Sequence, residues 1–436
     1  MKDLPRYYYR NKEGYYEYPI YNYPFAWFLS CIIIYLICRV LSTKLFLNLS
    51  YFENVFGALA LALGLYLIFK LIIGVRENHS IFKYFSSLII ADSVRKALLN
   101  GMNVNRVKDS PFIEVPNVRA TYENANEITL VVGKLVGMYD LNKISEDVSS
   151  CLRGVYSSFA VVSSQVSLNG TNFEFCLENV DKSYRLVVRN KDISPFLSDD
   201  VNRIKLAENL VWDTIATPML SVVGHTRSGK TVFADYLLKV MSSQGWEIHY
   251  YSAKPDIYVK RFKGESDPYK IVGAVEYWNH VMEERNSKIT KAGAKTFVEL
   301  GMNKIGIFID ELGLLNGRLS VDKKLEKRWV VAITGLMGAG ASSGITVVAL
   351  SQRGTKDYFL PPSALVNAKE AVVMLGLAAD SGDDRRALMP GFEIPHRAYS
   401  QGQGLAMFVS SGSHWTQPEF YETPFFEGLN KKVKRK

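Results

Sequence analysis

The residues most suited to chemistry lie in "GHTRSGKT", where Gly224, His225, Thr226, Arg227, Ser228, Gly229, Lys230 and Thr231 fit the pattern G-x-x-x-x-G-K-[ST]. The glycines let the backbone wrap closely around a phosphate, and free N–H groups at a helix start favour the anion. Lys230 is expected to reach the β- and γ-phosphates, and the Thr231 hydroxyl to ligate Mg²⁺. All eight residues are taken as nucleotide-binding, with Arg227 expected to face solvent. Further on, "KIGIFIDELG" places Asp310 and Glu311 at the end of an apolar run. Asp310 would hold Mg²⁺ through water and Glu311 would polarise the attacking water. Standing alone, the pair would read as two solvated acids after a strand; following a phosphate loop, the chemical reading is stronger. The run "GITVVALSQRG" then ends in Ser351, Gln352 and Arg353, and Gln352 is the candidate for sensing the γ-phosphate. Lys230, Asp310, Glu311 and Gln352 form the catalytic set, Thr231 and Asp310 the metal ligands, and ATP with Mg²⁺ the implied cofactors.

Such residues need rigid elements to hold them. "MLSVV" reads as a buried strand before the phosphate loop and "VFADYLLKVM" as a helix after it, the context this motif requires. The runs "GWEIHYYSAK", "AVVMLGL" and "LAMFVS" supply further strands. The expected fold class is α/β, a P-loop NTPase with a parallel-rich sheet. Ligands of such sheets bind at the C-terminal ends of the strands, where all the candidate residues fall.

The chain of 436 residues is 48% hydrophobic, with a formal net charge of +9 and four cysteines. So few cysteines exclude a disulfide framework, and six scattered histidines show no metal-ligand spacing. The apolar excess lies at the start. "PFAWFLSCIIIYLICRVL" (24–41) and "VFGALALALGLYLIFKLIIGV" (55–75) are each long enough to cross a bilayer, if Arg39 snorkels at the end of the first. The late start and the second run argue against a cleaved signal peptide. Lys2, Arg6, Arg10 and Lys12 precede the pair, Arg76, Lys83, Arg95 and Lys96 follow it, and Lys44 alone lies in the connection. The positive-inside rule then places both termini in the cytoplasm. Tyr15, Tyr16, Tyr18, Tyr21, Tyr23 and Trp27 suit the inner interface.

Between membrane and motor, a helical stretch (78–99) is followed by strand-like pieces, a helical piece near 142–156, and further strands "FAVVSSQVSL" and "SYRLVVRN". Nothing in it looks catalytic, and it reads as an α+β adaptor. The expected domains are a Tyr-rich tail (1–23), two transmembrane helices (24–76), the adaptor (77–200), the ATPase (201–424) and a basic tail (425–436).

The order of "GHTRSGKT", "YYSAKPD", "IFIDEL", "VVALSQRG" and "GQGLAMF" resembles FtsK/SpoIIIE-type DNA-pumping ATPases. With two spans, a small domain and a single motor, the architecture is most similar to the TcpA-like coupling proteins of conjugative elements in Gram-positive bacteria. Of the family's D-P-K segment, only Lys254 and Pro255 carry over. The resemblance implies a RecA-like motor fold, a homo-hexameric ring, ATP between subunits, DNA in a central channel, and a relaxase and transfer-channel proteins as partners at the cell membrane. It also implies an arginine acting in trans, for which Arg385 and Arg386 are candidates, with a surface helix start as the alternative. Little chain follows the motor, which argues against a DNA-reading module for chromosome sorting. DNA-contact candidates are Lys288 and Lys291 in one basic cluster and Arg318, Lys323, Lys324 and Lys327 in another; a solvated helix face accounts for them equally well. Chromosome partitioning, protein secretion and a nucleotide-gated membrane scaffold are the alternative functions.

Overall fold

The computed structural model describes residues 6–10, 16–17, 24–45, 48–101, 112–135, 140–152, 156–188, 192–412 and 414–426. Lys2, Lys12, Tyr15, Tyr18, Tyr21, Tyr23 and residues 427–436 of the basic tail lie outside them. The chain forms two compact units, residues 1–181 and 182–436.

The first unit begins with strands β1 (Arg6–Arg10) and β2 (Tyr16–Glu17), then helices α1 (Pro24–Leu45), α2 (Ser50–Asn78) and α3 (Ile81–Gly101). Spans 24–44 and 50–78 have mean hydropathies of 2.1 and 2.4 and are almost wholly unburied, so their apolar side chains have no protein to cover them. Both are long and apolar enough to cross a membrane. At about 1.5 Å per residue, α2 outlasts a hydrocarbon layer of about 30 Å. Its last residue, Asn78, is 3% exposed. The Asn78 amide donates to Gly74 O at 2.9 Å, and its Oδ1 accepts from Tyr122 N at 3.0 Å. Gly74 makes room for Tyr84: a Cβ there would lie 2.1 Å from the ring.

Strands β3 (Phe112–Val115), β4 (Val118–Tyr122) and β5 (Glu127–Gly133), helix α4 (Leu141–Cys151), and strands β6 (Phe159–Val166) and β7 (Asn172–Asn179) complete the unit. An antiparallel sheet of order β4-β5-β7-β6 packs Ile128, Leu130, Phe173 and Phe175 against Val94 and Leu98 of α3 and Val148 of α4. "NFEF" is part of the interior strand β7. A separate sheet of order β2-β1-β3 pairs Arg6 with Val115 and Tyr9 with Phe112. The tail before the first helix is thereby joined to the chain after the third.

The second unit opens with β8 (Val187–Val188), β9 (Arg203–Ala207) and β10 (Leu210–Asp213). "SYRLVVRN", expected to close the adaptor, instead pairs through β8 with a terminal strand, Phe425–Phe426. Residues 182–188 and 192–200 therefore pack with the motor, where Phe196 is fully buried. The core elements follow as β11 (Met219–Gly224), α5 (Lys230–Ser243), β12 (Glu247–Ser252), α6 (Ile257–Arg261), α7 (Pro268–Lys291), β13 (Ile305–Asp310), α8 (Leu312–Leu319), α9 (Lys323–Ser343) and β14 (Ile345–Ser351). After them come α10 (Pro362–Leu365), β15 (Ala371–Leu375), α11 (Leu377–Asp380), α12 (Gly382–Leu388), β16 (Gln403–Phe408), β17 (Glu419–Glu422) and β18 (Phe425–Phe426).

Seven strands form one sheet in the order β12-β13-β14-β11-β15-β16-β17. The first five are mutually parallel, and β16 and β17 run antiparallel at one edge. Strands β11, β13, β14 and β15 are largely apolar because both faces are covered, with β14 and β15 buried at every residue, whereas the edge strand β12 carries the exposed Glu247. Phe233, Leu237 and Met241 of α5 are buried in the core, each contributing about 1.5–3 kcal/mol of apolar burial. This is the α/β, parallel-rich P-loop fold, preceded by an α+β unit with two apolar helices.

Candidate functional site

The phosphate loop leaves the C-terminal end of β11, which lies between β14 and β15, while the chain goes on through α5 to β12 at the far edge. That is a topological switch point, where open α/β sheets bind ligands. The loop is tightly wound. Ser228 N donates to His225 O at 3.1 Å, and Gly229 takes φ 107° immediately before α5. A Cβ on Gly224 would lie 2.3 Å from Ser228 Oγ, so a side chain there would have to displace that hydroxyl. Arg227 holds a left-handed φ of 70° and is exposed, as is Thr231. The buried Ser228 Oγ has no hydrogen-bond partner. An orphaned hydroxyl inside a glycine-wrapped turn at a helix start suits a polyphosphate, whose oxygens accept such hydrogen bonds.

Lys230 is 9% exposed. Its Nζ lies 2.6 Å from Asp310 Oδ1 and 4.0 Å from Glu311 Oε1. The Tyr250 hydroxyl donates to Asp310 Oδ2 at 2.7 Å, and Glu311 N donates to Asp310 Oδ1 at 2.8 Å. Burial, and next the adjacent Asp310 carboxylate, hold the Tyr250 phenol well above its usual range. Glu311 has φ 54° and ψ 43°, a left-handed conformation that costs a non-glycine residue about 1–3 kcal/mol. Gln352 Nε2 donates to Glu311 Oε2 at 3.2 Å. The four residues expected as catalytic therefore form one chain of contacts on the rims of β11, β13 and β14. Two carboxylates beside the loop lysine can supply metal ligation and a base for water.

Tyr250 was not marked by sequence. It lies on β12 opposite Phe308, and its polar partner stands 60 positions along the chain. Gly402 is another such residue, in the "GQG" that the family motif includes. Its N–H donates to Ser228 O at 2.7 Å, and its carbonyl accepts from Thr423 N at 2.8 Å.

Other expected residues are dispersed. Arg385 is buried, donating to Ala379 O and Pro395 O, whereas Arg386 is exposed and 3.7 Å from Asp383. Lys288 and Lys291 end α7, Arg318 ends α8, and Lys323, Lys324 and Lys327 begin α9. Helices α7 and α9 run side by side in the same direction, through Glu276 with Arg328, Asn279 with Ala332, and Asn286 with Ser342. Lys288 and Lys291 thus lie about 25–30 Å from the other cluster along the helix axis. Only the cluster from Arg318 to Lys327 sits at the end of the sheet that carries Asp310.

No protein-family model matches the chain, and no curated protein does. Solved structures do. The conjugation coupling protein TcpA of pCW3, in its monomer form with ATPγS, is 14% identical with a TM-score of 0.47, covering 78% of this chain and 95% of that one. EssC (ATPases 2 and 3) from Geobacillus thermodenitrificans is 10% identical with a TM-score of 0.39, covering 63% and 46%. The cytoplasmic domain of the Thermomonospora curvata type VII secretion ATPase EccC is 15% identical with a TM-score of 0.41, covering 55% and 31%. This chain spans less than half of each of those two secretion ATPase structures.

Proposed function

We propose that this chain is a membrane-anchored, ATP-driven DNA translocase that acts as a coupling protein in conjugative transfer. In this reading α1 and α2 anchor it in the cell membrane with both termini in the cytoplasm. A homo-hexamer encircles DNA and passes a relaxase–DNA complex to a transfer channel. The enzymatic part rests on one observation: Lys230, Asp310, Glu311 and Gln352 meet within hydrogen-bonding or ion-pair reach on the rim of one sheet.

Bound ATP and Mg²⁺ supply the phosphoanhydride bond and the positive charge that stabilises its cleavage. Lys230 would neutralise phosphate charge, Thr231 and Asp310 would ligate the metal, and Glu311 would accept a proton from water. Gln352, tied to Glu311, would link the water site to β14. An arginine from a neighbouring subunit completes such sites; Arg386 is the better candidate, because Arg385 is held inside its own subunit.

For DNA, Lys324 and Lys327 are the favoured contacts within the cluster that also holds Arg318 and Lys323. The helix macrodipole favours cations at a C-terminus, which accounts for Lys288, Lys291 and Arg318 without DNA. It disfavours them in a first turn, where Lys324 stands, and gives no reason for Lys327 one turn further along α9. Lys323 is already paired with Glu326 at 2.7 Å.

The test is ATPase turnover by the full chain in lipid nanodiscs, with single-stranded DNA, duplex DNA or none. DNA should stimulate turnover, Lys230→Ala and Glu311→Gln should abolish it, and Lys324→Glu with Lys327→Glu should remove the stimulation alone. Turnover indifferent to DNA would favour protein export, nucleotide binding without turnover would favour a gated scaffold, and a wild-type chain inert toward ATP would overturn the motor reading.

A further inference from the structure

We infer that Tyr250 is the positioning residue for the metal-binding acid, holding the Asp310 carboxylate in a fixed orientation once Lys230 leaves it. This rests on the motor reading above. Both Asp310 oxygens are engaged, Oδ1 by Lys230 Nζ and Glu311 N, and Oδ2 by the Tyr250 hydroxyl. A phosphate that draws Lys230 away removes one of these partners and leaves Tyr250 as the side-chain donor described on Asp310.

The tyrosine is built to stay in place. It is 1% exposed, its ring stacks on Phe308 at 5.8 Å between centroids, and Tyr258 lies 5.5 Å away on α6. Gly264 allows the turn after α6 to pass against its backbone: a Cβ there would lie 1.6 Å from Tyr250 O. Strand register fixes the rest, setting Tyr250 beside Phe308 and Ser252 beside Asp310. Donors of this kind fix the rotamer and basicity of metal-binding groups, and their loss typically costs 10–100-fold in metal affinity or activity.

The experiment is a Tyr250→Phe substitution in the full chain in nanodiscs. ATPase rate is measured against Mg²⁺ concentration, and ATP binding is measured separately in EDTA. The expected result is a Mg²⁺ midpoint raised about tenfold, with metal-free ATP affinity changed less than about twofold. A structural defect alone would weaken both alike. Mn²⁺ binding with ATPγS supplies a second readout that needs no turnover. There, Tyr250→Phe should add nothing to Asp310→Asn, because both act through one carboxylate. An active wild type with an unshifted Tyr250→Phe midpoint, equal losses in both assays, or additive losses in the double variant would overturn the inference and leave the motor reading intact. A wild-type chain that neither binds nor hydrolyses MgATP would overturn both.

Discussion

Lys230 cannot serve Asp310 and a phosphate equally well. At 2.6 Å the two side chains neutralise each other in a largely buried place, so nucleotide must compete with an internal ion pair. Asp310→Asn should therefore bind ATP several-fold more tightly in EDTA while losing turnover with Mg²⁺, measurable by a fluorescent ATP analogue. Lys304 makes a different residue-level case. It is 5% exposed, donates to Thr214 O at 3.2 Å, and lies over the Trp246 and Phe297 rings at 5.3 and 4.9 Å. The ring faces favour its charge, as do the more distant Asp213 and Asp200, but burial outweighs them and lowers its pKa to about 7. Between that value and its ordinary 10.5, the unfolded chain holds a proton the native state lacks, so stability rises with pH across this window. Lys304→Met should raise the urea midpoint at pH 7 and abolish the further rise toward pH 10. A midpoint lowered at pH 7 would show the charge to be stabilising. The loop lysine, Asp310, Glu311 and Gln352 were legible in the sequence because each follows a strand it can be read against. Tyr250 and Lys304 were not, since their surroundings come from strand register and from segments distant in the chain.

At the scale of elements, the five parallel strands could be read from apolar runs separated by helical patterns. Of the antiparallel edge, β16 could be read from "LAMFVS", though not its direction, but β17 could not: "EFYETPFF" carries little apolar alternation, and β17 exists because β16 offers it an edge. Close backbone approach at that edge depends on Gly404, where a Cβ would lie 1.8 Å from Met374 O on β15. Gly404→Ala must push β16 from β15 and should cost about 3 kcal/mol or more, seen as a lowered melting temperature. In the first unit, Asn78→Leu should cost about 2–3 kcal/mol, because it leaves the buried Tyr122 N–H without its acceptor; hydrogen exchange at Tyr122 would report it. The strand in "SYRLVVRN" was recognisable, but its partner was not. A two-residue ladder to Phe425–Phe426 leaves no periodic trace, although Arg185 donates to Thr423 O at 2.7 Å and lies over the Phe425 ring.

For the whole molecule, a formal charge of +9 says little until it is placed. Contacts to DNA phosphates release counterions, so DNA-stimulated turnover should fall steeply with salt while basal turnover changes little. Lys324→Ala alone should weaken the stimulation and flatten that dependence by about one phosphate contact, read as a slope change of about one in a log–log plot of stimulation midpoint against salt. Duplexes of unrelated sequence should stimulate equally, since such contacts carry no base information.

If α1 and α2 span the membrane as proposed, the ladder between Arg6–Arg10 and Phe112–Val115 sets a parity condition on their insertion. Its two halves bracket both apolar helices, so they can zip together only if the intervening chain traverses the lipid an even number of times. A nascent chain with one helix threaded and the other stalled would hold the halves in opposite compartments. The ladder also cannot close until residue 115 has left the ribosome, long after the first apolar helix has been made. Its closure would thus proofread the hairpin, sealing the amino end only behind a correctly threaded pair.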